Sequence, residues 1–232
     1  MRASWFSRRG CERTRNSDAA AVRQQGRHVL AVLVDGAEKG PRGADLARHW
    51  ANVVLQGLAE GSSSSPASML ARLEYEQAQL RHGFLHDIAS YCMVKLDLET
   101  LAAQIWHCGD CLVGLRQQTE TRWLTTPHIL TLQPGVLPLR STEERERHAQ
   151  VLTRSLTARR FKSPDYQSLT LQQSQTLLLC TDGYWQEHLE SGTPPHLLRD
   201  DASLLTLPIG CGPLDDIDQD TDADNLNDLR HA

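Results

Sequence analysis

Aromatic residues are scarce in this 232-residue chain, at 5%, while apolar residues reach 40%. Any core must therefore be mainly aliphatic. No apolar run approaches the roughly 20 residues that a membrane-spanning helix needs. The basic start, Met1 to Arg9, is followed by no apolar stretch, so no secretory signal is expected. Six cysteines, at 11, 92, 108, 111, 180 and 211, lack disulfide-scaffold spacing. No Lys/Arg cluster comes with interleaved aromatics, which argues against a nucleic-acid surface. These absences predict a cytoplasmic protein with neither membrane nor nucleic acid as partner. The formal net charge is -5, but it is unevenly spread. Pro213 to Ala232 holds seven Asp and one Arg, or -6, which leaves +1 for the rest.

The length fits one large domain that can bury a core without staples. Val29 to Val34 reads as a buried strand. Ala44 to Glu60 reads as a helix, with Ala47, Trp50, Ala51, Val54, Leu55 and Leu58 in one stripe. Ala67 to His86 is expected as a second helix with Leu70, Leu73, Leu80 and Phe84 inward. Strands are predicted at Ile88–Leu98, Thr100–Cys108, Leu112–Leu115, Arg122–Leu124, Ser168–Leu171, Gln175–Cys180 and Ala202–Pro208. Glu143–Arg159 and Tyr184–Glu190 are predicted as helices. Elements arrive in blocks rather than alternating, which favours antiparallel sheets covered by helices, an α+β fold. Residues 1–12 are expected to be a flexible start, 13–210 the functional domain, and 211–232 an acidic, disordered tail.

Chemistry concentrates at strand ends. Two apolar runs end in Asp-Gly, at Asp35-Gly36 and Asp182-Gly183; a third ends in Gly109-Asp110; Asp200-Asp201 precedes a fourth. Asp-Gly alone favours a hairpin turn. Here, however, neither pair leads into a second strand. Carboxylate and carbonyl oxygens suit Mg²⁺ and Mn²⁺, and Gly after Asp lets the backbone come close.

With these residues in view, the chain resembles the metal-dependent type 2C (PPM) serine/threonine protein phosphatases of bacterial type. The matching blocks run in order: Arg13-Thr14-Arg15-Asn16-Ser17-Asp18, Asp35-Gly36 into a helix, His107-Cys108-Gly109-Asp110, Cys180-Thr181-Asp182-Gly183-Tyr184-Trp185 and Asp200-Asp201-Ala202-Ser203. Leu152 to Leu156 and Pro164-Asp165 match the linking pieces. The resemblance implies a four-layer α-β-β-α sandwich, two antiparallel sheets face to face and flanked by helices. It implies two Mg²⁺ or Mn²⁺ ions, with a third bound more weakly, and hydrolysis of phosphoserine or phosphothreonine by a metal-bridging water. Asp35 would bridge the metals, the Gly36 carbonyl would complete one shell, Asp182 and Asp200 would hold the other side, and Asp110 would serve the third metal. Arg13 would grip phosphate and Asp18 would orient bound water. A phosphoprotein substrate and a cognate Ser/Thr kinase follow as partners.

The chain departs from the family at Ser17, where relatives carry Glu or Gln, and at Glu38-Lys39, which replace a Gly pair; Ala89-Ser90, Cys111-Leu112 and Asp201 also differ. These departures support a rival, a pseudophosphatase that binds phosphoproteins without turnover. Cys108 and Cys111 form a Cys-x-x-Cys whose sharp reading is a redox or zinc pair. The plainer reading, that strand positions three apart point to opposite faces, is favoured.

Overall fold

A computed structural model of the chain describes residues 1–38, 40–60, 65–132, 151–210 and 212–230. Strands β1 (Arg2–Arg8), β2 (Asp18–Gln25) and β3 (His28–Gly36) come first, followed by helices α1 (Gly43–Glu60) and α2 (Pro66–Gln79). Then come β4 (Ile88–Asp97), β5 (Ala102–Cys108), β6 (Leu112–Gln117) and β7 (Glu120–Trp123). After them run β8 (Leu156–Thr157), β9 (Asp165–Thr170), β10 (Thr176–Cys180), a π-type helix (Gly183–Glu190), β11 (Ala202–Pro208), β12 (Asp216–Thr221) and β13 (Leu226–Asp228). One sheet has the order β12-β1-β11-β10-β6-β7, and the other the order β13-β2-β3-β4-β5-β9, with β8 on β4. The sheets are antiparallel except at two edges, where β12 runs parallel to β1 and β13 parallel to β2.

Strand alternation sorts the residues into layers. Ala20, Val22, Val29, Ala31 and Leu33 join Trp5, Cys92, Val94, Ile105, Leu179 and Leu205 between the sheets. Ala19, Ala21, Leu30, Val32 and Val34 point the other way, against α1. There Ala47, Trp50, Ala51, Val54 and Leu55 of the expected stripe cover them, joined by Leu46, while the side chain of Leu58 lies outside the described residues. In α2 it is Met69 and Leu73 that are buried, with Leu80 and Phe84 following, while Leu70 is only half-buried. Ser65 caps α2 by accepting the Ser68 N–H (3.2 Å), with Pro66 at the first turn. Over the other sheet, Trp185 of the π-type helix packs on Leu112, Leu178, Cys180 and Leu204. The α-β-β-α layering is thus present, with one short helix as the fourth layer among the described residues.

Three expectations are corrected. The start is no flexible arm: β1 lies inside its sheet between β11 and β12, and Trp5 is fully buried. Its period-2 pattern, Ala3, Trp5 and Ser7 inward, was hidden by the arginines at its ends. The acidic tail is not disordered: it adds β12 and β13 as edge strands. The aspartates of β12 suit an edge, where charge discourages further pairing. Glu143–Arg159 is not one helix. Residues 143–150 lie outside the described residues, but Leu152 bridges Ile129 and β8 pairs with Ile88 and Ala89. Its backbone bonds are long-range; the Thr153 N–H, for one, donates to the His128 carbonyl (2.8 Å).

Since Trp5 fills the space between the sheets, Trp5→Ala is expected to destabilise the chain by about 3–5 kcal/mol, read from urea unfolding. A loss under about 1 kcal/mol would show that β1 carries little of the core.

Candidate active site

At one end of the sandwich the inward-facing rows turn from aliphatic to polar. The row Ala3-Trp5 ends in Ser7, Leu33 leads to Asp35, Leu179 to Thr181, Cys92 back to Ser90, Leu205 back to Ser203, and Ala20 back to Asp18. Asp18 and Asp35 face each other directly across the β2/β3 ladder, with Ser90 next in register. Asp182 follows β10 and caps the π-type helix by accepting the Gly183 N–H (2.8 Å). Asp200 and Asp201 enter β11 beside it. Asp110 sits where the chain crosses from β5 in one sheet to β6 in the other, after Gly109 with φ +105°. A side chain at Gly109 would also collide with Ser90.

All the aspartates proposed from sequence therefore meet here, though they come from five distant segments. Their electrostatics confirm the convergence. Burial pushes Asp18, Asp35 and Asp182 well above the ordinary carboxylate range, and neighbouring carboxylates push them further. For Asp35 those neighbours are Asp18, Asp110, Asp200 and Asp201; for Asp182 they are Asp110, Asp35 and Asp200. Asp110 is raised for the same first reason, burial. Asp18 Oδ1 and Asp110 Oδ1 are buried with no hydrogen-bond partner. Orphaned carboxylate oxygens in a shared acidic end fit hard divalent cations, which relieve both the desolvation and the repulsion. Gly36 closes β3 where a side chain would overlap the Gly43 carbonyl, and its N–H donates to the Ser17 carbonyl (3.1 Å).

Arg13 lies over this end. Its fork meets Asp200 twice, Nε to Oδ1 at 2.7 Å and Nη2 to Oδ2 at 2.6 Å, and its Nη1 also pairs with Glu38. The hydrogen bond to Asp200 raises the guanidinium above its usual range. Glu38, one of the departures from the family pattern, thus reaches the phosphate-gripping candidate directly. Asp201 plays another part: it accepts the Gly10 and Ser17 N–H groups (2.9 and 2.7 Å) and so pins the loop that carries Arg13.

Sequence reading missed the hydroxyls and amides beneath the aspartates. Thr181 donates to Asp18 Oδ2 (3.1 Å) and accepts the Ser203 N–H (2.9 Å). The Ser90 hydroxyl accepts the Asp110 N–H (3.3 Å), and Trp185 Nε1 donates to the Asp110 carbonyl (2.9 Å). The available signal was parity: each hydroxyl sits an even number of residues from an inward-facing core residue. Cys108 and Cys111 fall in different layers, on the helix side and between the sheets. Burial raises both thiols, Cys108 to about 12, so a reactive pair is not what the fold builds.

Beside Asp110 lies a second group. His107, His128 and Asp165 have ligand atoms within 4.8 Å of one another and could hold a metal ion. Among the described residues no three of the aspartates at the sandwich end come that close. Asp200 is held by the Arg13 fork. Hydrogen bonds already fill the histidine group. Gly109 N–H donates to His128 Nδ1 (3.0 Å), leaving the ring proton on Nε2 beside Asp165 Oδ2 (3.1 Å). His107 Nε2 donates to the Thr126 carbonyl (2.9 Å), and the two rings stack at 4.5 Å. Burial lowers both imidazoles, His107 to about 4. Neutral rings in this arrangement hold the Gly109-Asp110 crossing in place.

Because the raised carboxyls bind protons more tightly in the folded chain than in the unfolded one, they favour folding at low pH. That contribution is whole below the ordinary 3.8 and is lost as pH rises; for Asp201 the loss runs through about 6, and the deeper aspartates, raised in the same direction, lose theirs as pH rises too. Asp182→Asn removes one repelling charge and keeps a good helix cap. In chelator near pH 7.5 it is expected to melt roughly 2–4 °C above wild type, about 1 kcal/mol at this size. The gap should close toward pH 4 when followed by circular dichroism. A variant that melts lower at pH 7.5 would contradict the repulsion.

The sequence matches no protein-family model and no curated protein. Solved structures do match. The S. agalactiae serine/threonine phosphatase superposes with TM-score 0.75 at 17% identity, over 90% of this chain and 99% of that one. The PPM Ser-Thr phosphatase MsPP from Mycobacterium smegmatis, in complex with cacodylate, gives 0.64 at 18% identity, over 90% and 98%. The catalytic domain of the phosphatase PstP, in complex with 2 manganese ions, gives 0.59 at 19% identity, over 88% and 96%. At these identities the likeness is one of architecture: the chain has the fold of the bacterial PPM-type serine/threonine phosphatases.

Proposed function

We propose that the chain is a divalent-cation-dependent serine/threonine protein phosphatase. One observation carries this reading: five aspartates from distant segments, two with orphaned buried oxygens, converge at the end of the sandwich beneath an arginine fork. Asp35, Asp182 and Asp200, with the Gly36 carbonyl, would hold two Mg²⁺ or Mn²⁺ ions, and Asp110 would serve a third. Bound there, such cations supply Lewis acidity, polarising phosphoryl oxygens and lowering the pKa of water. The Thr181 hydroxyl holds the Asp18 carboxylate, so Asp18 can orient water without itself reorienting. Arg13 presents a planar fork that matches two phosphoryl oxygens at once. No described cysteine is needed as nucleophile. The substrates would be phosphoserine or phosphothreonine on proteins, placed there by a Ser/Thr kinase, in the cytoplasm. No helix among the described residues is long and apolar enough to cross a membrane.

Hydrolysis of a phosphothreonine peptide with Mn²⁺, with and without chelator, tests the reading. Asp35→Asn and Asp182→Asn should each lose well over about a hundredfold in rate. Wild type that binds Mn²⁺ but leaves the peptide intact would favour the pseudophosphatase, and full activity in both variants would end the proposal. Arg13→Ala should act mainly on KM.

Glu38 competes with phosphate for Arg13 in this geometry. Glu38→Gly should lower KM for the peptide about threefold, in line with loss of one partly exposed ion pair. An unchanged KM would show that the pair does not compete.

A further inference from the structure

The proposed function uses nothing beyond β11, yet the C-terminal stretch enters the same polar end. After β12 the chain crosses from one sheet to the other, pairing β12 with β1 and β13 with β2. Asn225 lies at that crossing and is 4% exposed. Its Nδ2 donates to Ser7 Oγ (2.8 Å) and to the Asp18 carbonyl (3.1 Å), and its Oδ1 accepts from Trp5 Nε1 (3.1 Å). Its own carbonyl accepts the Ala20 N–H (2.9 Å). The orientation of the amide is forced, because an indole N–H can only donate and a peptide carbonyl can only accept. One side chain therefore joins β1 of one sheet to β2 of the other.

The consequence reaches Asp18 through the amides around Ser7. Ser7 Oγ receives two amide N–H groups, from Asn225 and from Asn16 Nδ2 (2.9 Å). Its lone pairs are then occupied, so its single proton goes to Ser203 Oγ, 2.8 Å away. Asn16 Oδ1 accepts the Asp18 N–H (3.0 Å) and Asn225 donates to the Asp18 carbonyl, so the two amides hold the Asp18 backbone from both sides. Thr181 holds the side chain: it accepts the Ser203 N–H (2.9 Å) and donates to Asp18 Oδ2. Removing the Asn225 amide takes one donor from the Asp18 carbonyl and one from Ser7, and the tie between β1 and β2 at Asp18 is weakened. Networks of this kind are cooperative, so one missing donor is felt at the far end.

We propose that Asn225 is a positioning residue, and that the strap from Leu214 to Arg230 is part of the site: the Asn225 amide fixes the Asp18 backbone, and with it the Asp18 carboxylate, at the polar end of the sandwich. Asp at this position cannot serve, since it brings no donor and adds a charge. The inference rests on reading the aspartates as a cation site, and the test separates the two.

Mn²⁺ binding to the full chain is measured by electron paramagnetic resonance, alongside thermal unfolding in chelator and peptide kinetics, for wild type, Asn225→Ala, Asn225→Asp and Asn225→Ser. Asp218→Asn, on the exposed edge strand, is the control and should match wild type. Asn225→Ala and Asn225→Asp should weaken Mn²⁺ binding about tenfold and lower kcat with little change in KM, as expected for a group acting through another. Asn225→Ser keeps one donor and should lose less; it carries the test if the Ala variant does not fold. Wild-type Mn²⁺ affinity and kcat in the folded variants, with only the melting temperature lowered, would overturn the proposal. A wild-type chain that binds no Mn²⁺ would overturn the cation reading and this proposal with it.

Discussion

Like charges buried together are the constraint around which this protein is built. Six carboxylates share the low-dielectric end of a two-sheet sandwich, and Asp18, Asp35, Asp110, Asp182 and Asp201 are raised first by burial, with neighbouring carboxylates adding to it. Asp201 is the exception in kind: two backbone N–H groups partly offset its desolvation, which makes it a structural anchor. Arg13 answers Asp200 alone. Among the described residues no lysine or arginine reaches Asp18, Asp35 or Asp182 as an ion pair. A fold that keeps such a cluster spends stability on it, and the aliphatic core below supplies what offsets the loss.

The sandwich can hold the cluster because alternation and closure agree. Every inward row is aliphatic through the middle and polar at one end, so the transition from core to site needs no separate element. Hydroxyls of Ser7, Ser90, Thr181 and Ser203 form a layer between the two regimes: Ser7 and Ser203 pair with each other, Ser90 accepts the Asp110 N–H, and Thr181 donates to the Asp18 carboxylate. Backbone closeness does the rest. At Gly36, Gly109 and Gly183 a side chain would strike a neighbouring segment, so strand ends approach one another more nearly than any other residue allows.

Parts of this were legible in the residues themselves. Apolar runs ending in Asp-Gly marked β3 and β10, and the absence of a following strand separated them from hairpins. The stripe of α1 gave five positions of its buried face, Ala47, Trp50, Ala51, Val54 and Leu55, and left out Leu46. Other parts were hidden for definite reasons. Strand β2 reads Asp-Ala-Ala-Ala-Val, with little of the branching that signals a strand, and it is a strand because β3 and β13 flank it. The composition of residues 214–230 argues for disorder, yet their backbone finds partners on both sheets. The segment after Val151 has helical spacing but spends its hydrogen bonds on His128, Ile129 and β4.

What the chain decided alone was chemical inventory and local order: which strands end in acid, which helix face is apolar, and that no thiol pair is needed. Those follow from spacing within ten or twenty residues, where periodicity is a direct consequence of backbone geometry. Only the folded structure could bring Asp18 opposite Asp35, set Arg13 between Asp200 and Glu38, and carry Asn225 back to Ser7. These contacts join residues up to 218 positions apart. Their partners are chosen by sheet register and crossing points, and no local pattern encodes either.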